Sequence, residues 1–255
     1  MARGRARDKD GKPAGPARRA SDRGHYGRLS RERVLTAALD LVDEEGLAAL
    51  SMRRLGGRLG VEAMALYRYA QGKDALLDGL VEALYLELEE RLSTGSVPEG
   101  SAAPEGSAAP DGAAWRDELH RIARSMYEVC LAHPHAVPLL STRMLAVPLA
   151  RRPLAVLKEQ ERVLALLRDA GLGQDRTAAV FRAFTGWVLG YISVELRAMV
   201  DNPEEEDPAF RLGLHRMPPQ ELPRLREIAV TLAVRGGPDG LDTGLDALLD
   251  RFTGD

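Results

Sequence analysis

Apolar residues recur every three or four positions along most of this 255-residue chain, which is the spacing of helices that bury one face. The first such stretch begins behind Ser30, a favourable helix N-cap, and its apolar stripe runs from Val34 to Val42. Gly46 follows three acidic residues and is expected to end this helix with a positive φ. The pattern predicts a first helix over about residues 30–45.

Two short helices and one long helix are predicted next. The second helix begins behind Ser51, and the third covers Glu62 to about Tyr69, with a tight turn at Gly60 between them. Such a pair forms a helix-turn-helix, here over residues 51–70, whose second helix can lie in the major groove of DNA. A fourth helix is predicted from about Lys73 to Leu92.

Two segments lack the helical spacing. Residues 1–27 are rich in Arg, Gly, Ala and Pro and are predicted to form a disordered basic arm. Residues 93–114 repeat a Pro-Glu-Gly-Ser-Ala-Ala unit without bulky apolar side chains, so a flexible linker with no functional role is predicted. No stretch alternates like a strand, and the prediction is an all-α fold. Further helices are predicted at residues 115–132, 153–170, 174–200, 221–235 and 242–252, with a proline-punctuated stretch at 134–153.

Charge is divided unevenly along the chain. Residues 1–73 hold 16 Lys and Arg against 9 Asp and Glu, while the remainder holds 19 against 29. A basic amino end on an acidic body suggests that only the first part faces a polyanion. The single cysteine, Cys130, suits a reducing compartment. The basic start lacks the apolar core of a secretory signal, and no apolar run approaches the roughly 20 residues that span a bilayer. A cytoplasmic protein without a membrane partner is expected.

The run LTAALDLVDEEGLAALSMRRLGGRLGVEAMALYRYAQGKDALLDGLVEAL resembles the DNA-binding domain of the TetR family of transcriptional regulators, over about residues 28–88. The end of the chain, Gly244 to Phe252, resembles the last helix of the subgroup with a tetracycline-repressor-like C-terminal domain. The resemblance implies a three-helix DNA-binding domain joined to a helical domain, residues 115–255, that binds an effector and dimerises. It implies a homodimeric repressor on a palindromic double-stranded DNA operator, released by a small molecule.

The resemblance also implies which residues contact DNA. Arg53 would reach a phosphate or a guanine edge, and Tyr67, Tyr69 and Lys73 would bind phosphates. The exposed start of the recognition helix would present side chains without a polar head, so Arg53 or Arg68 would have to supply any guanine contact. Readout of DNA shape stays open. The positions at that start are Ala63, Met64 and Ala65.

Two further sets follow from the resemblance for the C-terminal half. Aromatic residues share one face of the helix at 174–200, and they are either a core or dimer stripe or the wall of an apolar effector pocket. With few charges nearby, an uncharged or weakly charged effector is expected. The pocket set is Met126, Tyr127, Cys130, Phe184, Trp187 and Tyr191. The predicted dimer packs the helix at 174–200 and the last helix of each subunit into a four-helix bundle. The interface stripe on the last helix is formed by Leu241, Leu245, Leu248, Leu249 and Phe252.

Two other classes of function are considered. An effector-independent DNA-binding protein would share the N-terminal half and would not respond to a small molecule. An enzyme would need an active site in the helical C-terminal half, but the sequence has no Ser/His/acid arrangement, phosphate-binding glycine loop or metal spacing. His133 and His135 flank Pro134 without a nearby cysteine or acidic partner, so a helix-terminating turn is expected there. No enzyme activity, metal or cofactor is predicted.

Overall fold

The computed structural model describes residues 29–94, 114–201 and most of 205–253, and within these ranges it holds helices and turns but no strand. The all-α prediction is confirmed. The predicted arm at 1–27 and residues 95–113 of the predicted linker lie outside the described residues. In chain order the helices are α1 (Arg31–Glu45), α2 (Met52–Leu59), α3 (Ala63–Leu66), α4 (Lys73–Thr94), α5 (Ala114–Ala132), α6 (Val137–Ala146), α7 (Leu154–Asp169), α8 (Gln174–Asp201), α9 (Pro223–Glu227), α10 (Ala229–Ala233) and α11 (Gly237–Thr253).

Capping residues fix the ends of the first helices. The Ser30 side-chain oxygen accepts from the Arg33 backbone N–H at 3.1 Å, and Ser51 caps α2 in the same way from Arg54 at 3.2 Å. Gly46 ends α1 with a φ of 79°. These contacts satisfy backbone groups that each helix end leaves without an intrahelical partner.

The turn between α2 and α3 depends on glycine. Gly60 adopts the left-handed conformation with φ 68°, which a residue with a Cβ rarely takes up. Gly56 allows a close approach, because a Cβ atom there would lie 2.8 Å from the Val61 carbonyl oxygen. Leu55 and Leu66 fill the space between the two helices and are fully buried. The angle of the helix-turn-helix is therefore fixed by packing on both sides of the turn.

Helix α4 belongs to both halves of the molecule. One side packs on α1, and other sides pack on α5, α6 and α7. Five of its leucines, spaced along its whole length, are buried, and burial of each one contributes roughly 1.5–3 kcal/mol. Because these residues join one continuous core that extends from Val34 to Leu249, the N-terminal and C-terminal halves share a hydrophobic interior. The buried leucines are Leu76, Leu80, Leu84, Leu88 and Leu92.

Several boundaries differ from the predictions. Helix α3 ends at Leu66 rather than near Tyr69, and the segment predicted as one helix at 221–235 is two five-residue helices separated at Ile228. The proline-punctuated stretch contains the ten-residue helix α6, which tolerates Pro138 because its first turn needs no N–H donor. Helix α4 continues to Thr94, two residues into the predicted linker, and α11 begins at Gly237 instead of residue 242.

The sequence suggested that no segment is long and apolar enough to cross a bilayer. By length and composition alone, one helix contradicts this expectation. Residues Gln174–Arg197 of α8 meet that description. In the structure this helix packs on α5, α6, α7 and α11, and its buried side includes Val180, Val188 and Ile192. The opposite side is exposed, with Val194 at 77%. One apolar side of α8 is therefore covered by other helices of the same chain.

Candidate functional site

The helix-turn-helix presents a surface that we call the recognition surface, formed by Arg53, Met64, Tyr67, Arg68 and Lys73. All five side chains are exposed, Met64 at 73% and Tyr67 at 45%. Arg53 comes from α2, Met64 from α3, Tyr67 and Arg68 from the turn after α3, and Lys73 from the start of α4. Ala63, also predicted to contact DNA, is half-buried at the edge of this surface.

Ala65 and Tyr69 are placed differently from the rest of the predicted contact set. Ala65 is 7% exposed and packs inward beside Leu66, because a helix of a single turn turns half of its residues towards the core. The Tyr69 hydroxyl donates to the Leu29 carbonyl oxygen at 2.7 Å and its ring is half-buried. The expectation of an exposed Ala65 is therefore wrong, and the one Tyr69 hydroxyl proton is already used within the chain.

Basic residues near the recognition surface divide into paired and unpaired groups. Arg58 makes two hydrogen bonds of 2.5 Å with the Glu44 carboxylate, which lower the pKa of Glu44, and Arg54 pairs with Glu45. Arg53, Arg68 and Lys73 form no ion pair with any residue that the structure describes. Three positive charges that have no ion-pair partner in the described part of the chain thus lie on the exposed face of the helix-turn-helix.

Histidines connect the end of α1 to the C-terminal half. His133 Nδ1 lies 2.6 Å from an Asp43 carboxylate oxygen, and Nε2 lies 2.8 Å from a Glu87 carboxylate oxygen. The hydrogen bond with Asp43 is the main cause that raises the pKa of His133, followed by burial, which opposes it, and by the charges of both carboxylates. His135 Nδ1 lies 2.9 Å from the Asp43 backbone oxygen. The sequence predicted a helix-terminating turn here, which the short helix Pro134–Ala136 provides, but not this junction.

A second junction lies beside the recognition surface. Arg143 of α6 donates to Asp78 at 2.7 Å and to Asp74 at 3.2 Å, both on the first turns of α4. Asp74 is the neighbour of Lys73 in sequence. These hydrogen bonds connect α6 directly to the start of α4, where the recognition surface ends.

The C-terminal half contains a cavity of about 40 Å³ between α4, α5, α7 and α8. Its walls are apolar, with Ile122, Val163 and Val188 among them, and two residues of the predicted pocket, Met126 and Phe184, line it. Glu159 also lines it. A cavity of this size has room for a few water-sized groups.

An open groove of about 540 Å³ adjoins the cavity between α6, α7 and α8. Cavity and groove share Gln160, Phe181, Thr185 and Leu189 in their walls. The groove has the volume of sites that take drug-sized molecules, about 300–1,000 Å³. The two adjacent spaces make up one candidate binding site, which we call the effector site.

Trp187 and Tyr191 do not line the effector site. The Trp187 indole N–H donates to the Leu241 carbonyl oxygen at 3.0 Å, and the Tyr191 hydroxyl donates to the Gly237 carbonyl oxygen at 2.7 Å. A Cβ atom at Gly244 would lie 2.0 Å from the Trp187 ring, so α11 fits tightly against these two side chains. The prediction that they form pocket walls is wrong for this site, because both side chains are hydrogen-bonded to and packed against α11.

Tyr127 and Cys130 are also structural in this arrangement. The Tyr127 ring lies 6.4 Å from the Tyr191 ring, and Tyr127 is 4% exposed. Cys130 is fully buried with its sulfur 3.9 Å from the Met126 sulfur, and burial raises the pKa of its thiol to about 12. The thiol is therefore protonated at neutral pH and packs as a small apolar group.

The leucine stripe predicted as a dimer interface is largely covered by the chain itself. Leu241, Leu245 and Leu249 are fully buried in the core beneath α5 and α8, while Leu248 and Phe252 are half-buried. For the three buried leucines the prediction is wrong. The spacing correctly indicated a buried face, but a sequence does not say whether that face is covered by the same chain or by a second copy.

Sequence reasoning missed most of the residues that line the effector site, and among them Glu159 is the charged residue of the cavity. It lies on α7 between Val156 and Val163, three residues after one and four before the other, so it interrupts an apolar stripe. Its Oε1 atom is buried without a hydrogen-bond partner in the described structure, and burial raises the pKa of Glu159 to about 7. That interruption was the available signal, but it resembles an ordinary charged position on a surface helix.

The chain matches two protein-family models and several known regulators. Residues 34–80 match "Bacterial regulatory proteins, tetR family", and residues 108–251 match "Tetracyclin repressor-like, C-terminal domain". An HTH-type transcriptional regulator from Saccharopolyspora erythraea is 34% identical over 167 residues, 66% of this chain and 61% of that protein. The match thus spans less than two thirds of that relative. The tetracycline repressor protein class C of Escherichia coli is 28% identical over 212 residues, 83% of this chain and 84% of that protein.

Solved structures share the same fold. The TetR family protein ActR from Streptomyces coelicolor, in complex with actinorhodin, superposes with a TM-score of 0.64 at 24% identity, covering 88% of this chain and 95% of ActR. The second family match alone covers more than half of the chain, and its end coincides with α11. With helix-turn-helix and C-terminal half matched in order, the chain belongs to the TetR family of bacterial regulatory proteins.

Proposed function

We propose that this protein is a cytoplasmic transcriptional repressor that binds a palindromic DNA operator as a homodimer and leaves it when a small molecule binds. The observation that carries the proposal is the recognition surface of the helix-turn-helix, where Arg53, Arg68 and Lys73 have no ion-pair partner among the residues that the structure describes. Unpaired cations beside an exposed phenol are the groups that bind phosphates. No catalytic step is assigned to the chain.

The proposed contact set is narrower than the sequence suggested. Lys73 and Tyr67 bind phosphates, and Arg53 and Arg68 are the groups that can make bidentate contacts with guanine. Met64 and the edge residue Ala63 contact thymine methyl groups. Tyr69, which hydrogen-bonds to Leu29, is left out as a phosphate donor, and so is the buried Ala65.

The effector part of the proposal rests on the effector site and its neighbours. The groove has a drug-sized volume, and α6 borders both the groove and the Arg143 junction with α4. An effector that favours a different position of α6 would therefore shift the population away from the DNA-binding arrangement. ActR, which shares this fold, holds actinorhodin in its solved structure, and we extend ligand binding, not that ligand, to this chain.

Operator binding is tested with duplexes selected from a random pool by the purified protein. Lys73→Ala is expected to weaken binding and to lower the salt slope by roughly one charge unit, because one phosphate contact is lost. The matched control is Lys158→Ala, an exposed lysine on α7 in the other half of the molecule. Fluorescence anisotropy at several salt concentrations measures both. Equal affinities and slopes for the two variants contradict the proposed surface.

We place the dimer contact on the exposed side of α8. Gly186, Gly190 and Val194 lie on that side, and a Cβ atom at either glycine would meet nothing within 4 Å. The same three residues border the groove, so the proposed dimer contact closes one rim of the effector site. Such a surface of small residues lets two helices approach closely. Val194→Asp is expected to give monomers in analytical ultracentrifugation and to lose operator binding. Val234→Asp, a change at an exposed valine outside α8, is the control. A dimeric Val194→Asp protein rules out this face.

A further inference from the structure

The cavity of the effector site holds one acidic group among apolar walls. Glu159 reaches it from α7, and Ile122, Phe184 and Val188 are among the residues around it. The Glu159 Oε1 atom is buried and accepts no hydrogen bond in the described structure. A buried carboxylate oxygen without a donor is costly, and proteins satisfy nearly all such atoms.

The charged groups around Glu159 do not supply a dedicated counter-ion. Arg121 and Arg162 both donate to Glu118, at 2.7 Å and 2.9 Å, so these two cations are already paired. Glu118 and Glu89 add negative charge, and the raised pKa of Glu159 shows that burial outweighs the arginines. Arg152, at the groove, donates to the backbone oxygens of Val147 and Met144. The titratable and charged groups that face Glu159 from the surrounding helices are Tyr85, Glu89, Glu118, Arg121 and Arg162.

The two parts of the effector site have different sizes. The cavity of about 40 Å³ accepts a small head group, while the adjoining groove of about 540 Å³ accepts the body of a ligand. Phe181 and Leu189 line both, so an apolar body in the groove lies next to the cavity. Met144 and Val194 add further apolar surface to the groove.

We propose that the effector is an amphiphilic cation, with an apolar ring system in the groove and a protonated amine in the cavity that donates to Glu159. This inference rests on the proposed function and names the chemical class of its effector. It replaces the expectation of an uncharged or weakly charged effector. The amine supplies the hydrogen bond that Oε1 lacks, and a charge-assisted bond between ionised partners is stronger than one between neutral groups.

The test compares two ligands with the same three fused rings, the cationic dye aminoacridine and the neutral acridone. Their binding to the DNA-free protein is followed by fluorescence anisotropy. The parent protein is expected to bind the cation more tightly. Glu159→Gln, which keeps the shape and removes the charge, is expected to weaken aminoacridine binding by about tenfold or more while acridone binding stays unchanged. Glu161→Gln, an exposed neighbour on α7, is the matched control and should change neither.

A pH series adds a readout that a purely structural Glu159 would not give. Because the ionised carboxylate is the binding form, aminoacridine affinity is expected to fall as the pH is lowered through about 7, and Glu159→Gln should remove this dependence. Equal loss of both ligands in Glu159→Gln, or no preference of the parent for the cation, overturns the inference. Operator binding is measured separately, so a protein that binds its operator and is released only by neutral molecules keeps the proposed function and loses this inference.

Discussion

Side chains of the same type divide into two roles at the residue scale, and their hydrogen bonds decide which role each one has. Tyr67 is 45% exposed on the recognition surface, whereas the Tyr69 hydroxyl is bound to the Leu29 backbone. Arg53 forms no ion pair within the described ranges, whereas Arg58 is held by both oxygens of Glu44. The sequence places all four in one short basic segment and does not separate them.

The two tyrosines give opposite predictions for the same substitution. Tyr67→Phe is expected to weaken operator binding by about 0.5–1.5 kcal/mol, because one phosphate hydrogen bond is lost, and to leave the free energy of unfolding unchanged. Tyr69→Phe is expected to lower the free energy of unfolding by a similar amount. Anisotropy with a selected operator and urea denaturation measure the two quantities. A Tyr69→Phe protein with parental stability and weakened DNA binding would return Tyr69 to the contact set.

At the scale of single elements, prediction succeeded where a helix buries one long stripe. The starts of α1 and α4 and the extent of α8 follow from caps and from apolar spacing. Prediction failed to separate the two short helices α9 and α10, because the helical spacing of apolar residues continues across the break at Ile228. Prediction also failed to identify packing partners. Leu241, Leu245 and Leu249 of α11 are buried and the aromatic residues Trp187 and Tyr191 of α8 are half-buried, and the two sets pack against each other's helices.

The two adjacent glycines of α2 provide a matched pair for testing the turn. Gly56→Ala is expected to lower the free energy of unfolding by about 1–3 kcal/mol, because the new Cβ would lie 2.8 Å from the Val61 carbonyl oxygen and α3 would have to move. Gly57→Ala meets nothing within 4 Å and is expected to be neutral or to stabilise by up to about 1 kcal/mol. Urea denaturation checks both, and similar effects at the two positions would contradict the close approach.

At the scale of the whole molecule, the His133 junction makes the attachment of α1 depend on pH. A protonated ring has two N–H groups for the Asp43 and Glu87 carboxylates, and a neutral ring has only one. Because the pKa of His133 is raised in the folded protein, its contribution is complete below the ordinary value of 6.5 and is lost as the pH rises through the higher folded value.

Denaturation of the parent and of His133→Ala between pH 5.5 and 8.5 tests this junction. The difference in the free energy of unfolding between the two proteins is expected to be largest at the acidic end and to shrink as the pH rises. Glu159 also titrates near neutrality and is present in both proteins, so its effect cancels in the difference. A difference that does not change with pH would show that His133 stabilises the junction by packing alone.

Because both halves share a hydrophobic interior along α4, the protein cannot be divided cleanly into two separately folded fragments. A fragment that ends at the last residue of α4 would leave Leu84, Leu88 and Leu92 without the helices that cover them, and such a surface promotes aggregation. The DNA-reading segment is therefore a unit of recognition but not an autonomous folding unit. A chimaera that exchanges the DNA-binding helices between relatives would also need the residues of α5, α6 and α7 that contact α4, or a redesign of those contacts.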